Sequence, residues 1–150
     1  MKVVISCKAN ALSGNITVPG DKSVSHRALI LGSIAVGETH VEGLLEGEDV
    51  MAAAAAMRAL GAQISRDDAG LWTVIGCGVG GLHEPNQILD MGNSGTAVRL
   101  LMGLVGTQTF TSTFTGDESL NSRPMERVMG PLRQMGVQFT SRSGGRLPIT

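Results

Sequence analysis

Lys22, Ser23 and Arg27 stand close together at the head of an apolar helical run, directly behind the turn signal Pro19-Gly20. The first amides of a helix have no internal partner and carry partial positive charge, so a phosphate or carboxylate placed there is held by amides and dipole together. An ammonium and a planar guanidinium fork beside such an entry strengthen the same preference. The arrangement recurs in Asn93-Ser94-Gly95-Thr96, with Arg99 one turn further on and Gly95 leaving its backbone open to close approach. Arg123-Pro124 makes a third basic entry, ahead of a helix expected from Met125, with Pro where a helix start tolerates it. A plain cap with solvated bases accounts for either segment alone; the recurrence favours a ligand with more than one anionic group.

Neighbouring residues invite simpler readings. Glu46, Glu48 and Asp49 precede a helix, where carboxylates suit the dipole, and Asp49 is also placed to steer Lys22. His26 reads as a packed or solvent-facing histidine rather than a base. GDKS lacks the spacing of a Walker phosphate loop. Cys7 and Cys77 stand apart, without metal-ligand spacing, and read as small core residues, while the Met residues read as core filler.

The 150 residues are 42% hydrophobic and 17% charged, the composition of an ordinary globular domain. With 12 Lys and Arg against 13 Asp and Glu, the chain has no field to steer a nucleic acid or an anionic membrane, so an anion site must be local. No apolar run suits a membrane span or a signal peptide, and the expected address is the cytoplasm.

Strands are expected over 3–6 and 14–19, a helix over 25–35, a strand over 39–45 and a helix over 48–62 that ends at Gly61. A hairpin over 63–76 follows, turning at Asp67-Asp68-Ala69-Gly70. A helix behind Asn93, a strand over 109–116, a helix over 123–136 and a hairpin over 137–150 complete the chain. The order helix, strand, helix, two strands thus occurs twice. RALGAQIS from Arg58 matches RQMGVQFT from Arg133, and Arg27 with Arg99 and Gly47 with Gly116 sit at similar offsets of about 70–75 residues. That period exceeds the solenoid range and indicates a duplicated supersecondary unit, with the chain expected to stop between units at Thr150.

VPGDKSVSHRALILGSIAVGET, LLEGEDV, LDMGNSGTAVRLLMGL, GDESLNSRPMERV and PLRQMGV together resemble the N-terminal part of the 5-enolpyruvylshikimate-3-phosphate synthase family. The resemblance implies an α/β fold, an inside-out α/β barrel lobe of the enolpyruvyl transferase type built from repeated βαβαββ units and here incomplete. Residues 1–19 would be strand crossing to another lobe, and 20–150 would supply two of three units, about 20–80 and 88–150.

The resemblance further implies transfer of the enolpyruvyl group of phosphoenolpyruvate to the 5-hydroxyl of shikimate 3-phosphate, releasing phosphate, in the route to chorismate and aromatic amino acids. Lys22, Ser23 and Arg27 would contact shikimate 3-phosphate, and Lys22, Gly95 and Arg123 phosphoenolpyruvate. Lys22 would be the catalytic group shared between them, with Asp49, Asn93, Thr96 and Arg99 in support. No metal or organic cofactor, nucleic acid or membrane is implied, and the full-length enzyme is expected to be a monomer. The acidic proton-transfer groups would lie beyond this chain, which alone is expected to be inactive. The herbicide glyphosate would take the phosphoenolpyruvate place, with room left by the missing Cβ of Gly95. Two alternatives stay open: a UDP-N-acetylglucosamine enolpyruvyl transferase relative, although no Cys follows Cys77, and a non-catalytic phosphate-binding module. RNA 3'-phosphate cyclase, built from similar units, fits poorly with a net-acidic chain of 3% aromatic residues.

Overall fold

The computed structural model describes residues 3–150. Asp21 opens the first helix, α1 (Lys22–Ile34), by accepting from Val24 N at 2.8 Å. It leads through Ala35 into β1 (Val36–Val41), and then comes α2 (Glu48–Ala59), whose first turn carries Glu48 and Asp49. β2 (Gln63–Arg66) and β3 (Trp72–Cys77) form the hairpin, in which Asp67 accepts from Leu71 N and Gly70 takes φ +88°. A short 3₁₀ turn over Val79–Gly81 ends this part.

The second part runs β4 (Leu89–Asp90), α3 (Gly95–Val105), β5 (Phe114–Thr115), α4 (Glu118–Ser122), α5 (Glu126–Gln134), β6 (Ser141–Arg142) and β7 (Arg146–Ile149). Both sheets repeat one strand order. The first is β1-β3-β2, antiparallel throughout, running from Val36 opposite Cys77 to Val41 opposite Trp72. The second is β4-β5-β7-β6, whose last three strands repeat that order while β4 lies parallel to β5. The duplication expected from sequence is therefore visible in the hydrogen-bond ladders.

The core lies where the helices meet. α2 packs against α1, α3, β2 and β4, with Val50, Ala53, Ala54 and Met57 fully enclosed, so the small side chains of its Ala run let the neighbouring elements approach. Leu101, Met102, Met125, Met129 and Phe114 continue the same core into the second part.

Several expectations need correction. Residues 3–6 and 14–19 are not strands: among the described residues no ladder partner faces them, and Val4 and Ile16 are about nine-tenths exposed. Apolar and β-branched residues favour a strand only where an edge is available to pair with. Cys7 is exposed rather than a core residue, whereas Cys77 is half-buried and approaches Ser33 O. Met135 is exposed too, unlike the buried methionines, and Met1 lies outside the described residues. The strand expected over 109–116 is reduced to Phe114–Thr115, and α4 lies in a stretch for which no element was expected.

Candidate functional site

At the α1 entry, Asp21 satisfies Val24 N, while helix geometry leaves the amides of Lys22 and Ser23 without an intrahelical carbonyl. The buried Ser25 hydroxyl donates to Asp21 O at 2.8 Å and accepts from Leu45 N at 3.0 Å, tying the entry to the loop ahead of α2. Gly20 lies against that loop: a Cβ on it would stand 2.1 Å from Gly43 O. Backbone packing therefore holds the entry, and the side chains of Lys22, Ser23 and Arg27 stay exposed around it.

Lys22 and Asp49 join the first turns of α1 and α2, Nζ to Oδ2, at 3.3 Å. Steering of Lys22 by Asp49 is thus an observed contact. Arg27, exposed one turn on, donates to Ser23 O at 3.0 Å. His26, by contrast, is fully enclosed, and neither ring nitrogen has a hydrogen-bond partner. Burial holds its pKa below the ordinary 6.5; Asp49 opposes that shift and Lys22 and Arg27 add to it. Glu46 is not part of this entry, because its carboxylate accepts from Arg66 Nε at 2.6 Å and Trp72 Nε1 at 3.1 Å. Those two donors, Arg66 first, hold it below the usual carboxylate range.

At the α3 entry the cap is Ser94, fully buried and accepting from Ala97 N at 3.4 Å, rather than Asn93. Asn93 instead turns to the next loop, where its amide donates to Asp117 Oδ2 at 2.7 Å and its carbonyl oxygen accepts from Arg123 Nη2. Arg123 also donates to Ser119 Oγ at 3.1 Å. Gly95, buried, begins α3 and Thr96 follows it half-buried. A Cβ on Gly95 would meet Arg99 Nη1 at 2.9 Å and Arg123 Nη1 at 3.2 Å, so two guanidiniums converge on this bare backbone.

Arg99 donates to Gly95 O at 3.1 Å, and its Nε is buried without a partner. Desolvation, then Arg127 and Arg123, lower its pKa from the ordinary arginine value. Partly desolvated cations crowded in this way attract an anion.

Arg123 lies just ahead of α5, as expected, with Met125 as the cap of that helix rather than its first residue, and it is at the same time the C-terminal cap of α4, a place that favours a cation. Sequence reasoning missed Asp117, which accepts from Leu120 N at 2.7 Å and caps α4. That amide first, then Asn93, holds its carboxyl below the ordinary 3.8. The signal was an Asp-Glu pair ahead of Leu120, a cap signature in an element too short to show periodicity. Arg127 was also missed.

Two clusters result: Lys22, Ser23, Arg27 and Asp49 at one, and Asn93, Gly95, Thr96, Arg99 and Arg123 at the other. Among the described residues no hydrogen bond or ion pair joins them, though α2 of the first packs against α3 and β4 of the second. Each offers cations, the first with the open amides of Lys22 and Ser23 and the second with that of Thr96, since Gly95 N already donates to Asn93 O at 2.9 Å; this is the chemistry of anion binding and orientation. Among the described residues no three His, Cys, Asp or Glu side chains gather as a metal would require, and no helix is long and apolar enough to cross a membrane.

The family model described as EPSP synthase (3-phosphoshikimate 1-carboxyvinyltransferase) matches residues 7–150. The chain belongs to the EPSP synthase family. It is 65% identical over 139 residues to a 3-phosphoshikimate 1-carboxyvinyltransferase of Novosphingobium aromaticivorans, covering 93% of this chain and 32% of that protein. To the protein of the same name from Paramagnetospirillum magneticum it is 62% identical over 148 residues, covering 99% of this chain and 33% of the relative. A solved EPSP synthase from Acinetobacter baumannii superposes with a TM-score of 0.86 at 50% identity, over 91% of this chain and 31% of that one. The fold of this family is therefore the fold of this chain, which spans about a third of the length of these relatives.

Proposed function

We propose that this chain supplies anion-binding residues of an enzyme that transfers the enolpyruvyl group of phosphoenolpyruvate to the 5-hydroxyl of shikimate 3-phosphate, with release of phosphate. Family membership and the names of the relatives support this reading over UDP-N-acetylglucosamine chemistry. The observation that carries it is the convergence of Arg99 and Arg123 on the bare backbone of Gly95, at the start of a helix in a chain with no net basic charge.

In this reading Lys22, Ser23 and Arg27 take shikimate 3-phosphate, while Gly95 and Arg123 take phosphoenolpyruvate beside Arg99, Asn93 and Thr96. Lys22 serves both substrates, with Asp49 as its resting partner. These groups neutralise charge and hold two anions in register, an orientation effect of several kcal/mol. The cations, amides and hydroxyls of the two clusters would bind and align, the carboxylate among them, Asp49, is paired with Lys22, and the proton-transfer groups would lie in the rest of a chain of the relatives' length. The units described here, about 20–80 and 88–150, would then be two of three in one lobe, with residues 1–19 crossing to another. We place the enzyme in the cytoplasm as a monomer without metal or organic cofactor, with glyphosate competing for the phosphoenolpyruvate place.

The test is phosphate release by this sequence extended to the relatives' length. Release requiring both substrates, and falling in Arg123→Ala, is expected. Failure of the extended chain to release phosphate with both substrates present would refute the assignment.

A further inference from the structure

His26 stands one helical turn beyond Lys22, so the two side chains share the face of α1 that meets α2. On that face Lys22 holds Asp49 at 3.3 Å while about half of its own side chain remains exposed, a pair formed at the surface and open to exchange. Behind it His26 is completely enclosed with both ring nitrogens unpartnered, although a neutral imidazole carries one donor and one acceptor. A buried polar ring without partners is uncommon in a finished core and marks a group awaiting one.

The charged groups facing the ring are few. Asp49 comes from α2, and Lys22 and Arg27 come from its own helix. Packed elsewhere on α1, β1 and β3 bring Glu38, His40 and Cys77; the first two are exposed and face each other at 3.6 Å, and Cys77 lies against Ser33 O. Arg27 is committed to Ser23 O. Asp49 is therefore the carboxylate whose charge reaches the imidazole, while its hydrogen bond is taken by Lys22.

We propose that His26 is a positioning residue of the anion site: an anion that takes the Lys22 ammonium releases Asp49 to the imidazole, which takes up a proton from solvent as the carboxylate turns to it. This rests on the reading of Lys22 as an anion ligand. Anion binding and His26 protonation then favour each other, since linkage between two binding events is reciprocal. The burial that depresses the imidazole's basicity at rest is offset once the carboxylate pairs with it.

The experiment follows the histidine ring resonances of the 150-residue chain against pH, with His26 assigned by His26→Gln. The probe is inorganic sulfate, whose charge is constant over the range, with chloride at matched ionic strength as control. Sulfate is expected to raise the His26 midpoint and to bind more tightly as the pH falls through it. Lys22→Met should raise the midpoint without sulfate, and Asp49→Asn should abolish the response to it. A sulfate-induced rise that persists in Asp49→Asn overturns the inference, because the anion then acts only by neutralising Lys22 and Arg27. So does sulfate that shifts the amides of Lys22 and Ser23 and leaves His26 unmoved. Sulfate that shifts none of these amides removes the anion-site reading itself, and this inference with it.

Discussion

Arg99 Nη1 lies 2.9 Å from the point where a β-carbon on Gly95 would stand, and the same guanidinium donates to the Gly95 carbonyl at 3.1 Å. The missing side chain at Gly95 is thus what lets Arg99 fold back over the start of its own helix, with Arg123 closing in from α4.

Gly95→Ala should disturb the two guanidiniums before any methyl group reaches a ligand. Both contacted atoms are tips of flexible side chains, so the effect belongs at the low end of overpacking, about 1 kcal/mol, or roughly fivefold in a binding constant. Inhibition constants for glyphosate and the Michaelis constant for phosphoenolpyruvate, measured on a chain of the relatives' length, should both rise. Unchanged values for both would show that Arg99 and Arg123 do not take part in binding.

Lys22→Ala and Arg27→Ala should separate the substrates. Charge-assisted hydrogen bonds of this kind contribute roughly 1.5–3 kcal/mol each. Arg27→Ala is expected to weaken shikimate 3-phosphate alone, and Lys22→Ala to weaken both substrates and slow turnover. Steady-state kinetics with each substrate varied in turn would expose a wrong assignment as equal loss for both variants.

Asp117→Ala removes the cap of α4 and the anchor of Asn93 in one change. Two measurements are needed, a lower urea midpoint for the lost cap and weaker phosphoenolpyruvate binding for the displaced Arg123. A lower midpoint with binding intact would show that Arg123 holds its place without Asn93.

His26 should leave a mark on stability. Its folded pKa lies below 6.5, so between the two values the unfolded chain binds a proton that the folded chain refuses. Stability then falls as pH falls through that window. The carboxylates of Glu46 and Asp117 act lower down: their contribution is present above their ordinary 4.5 and 3.8 and is lost as pH falls through their depressed folded values. Urea midpoints at about pH 7.5 and about pH 5.5 should therefore differ less in His26→Gln than in the parent. Equal differences would mean that His26 is protonated inside the fold at no cost.

The elements with a long period or a strong local signal were legible in the sequence. The apolar run after Lys22, the Ala run of α2 and the Asp67–Gly70 turn specify their structures by local rules, and the second copy repeats them. Pairing beyond the local hairpins was not legible, because it depends on which edge is free: residues 3–6 read as strand and have no ladder partner among the described residues, while two-residue β4 is a strand only because β5 lies beside it. Most residues named for the site do gather at helix ends. The direction of Arg123, the change of cap from Asn93 to Ser94 and the enclosure of His26 follow from tertiary contacts that spacing does not encode.

Among the described residues no ladder joins the two sheets, and the first draws all its strands from Val36–Cys77. On a ribosome, every strand of that sheet is synthesised before α3 begins at Gly95. The α1–α2 entry, with Lys22 already held by Asp49, can therefore take shape vectorially, as an early folding unit on which the later arginines close.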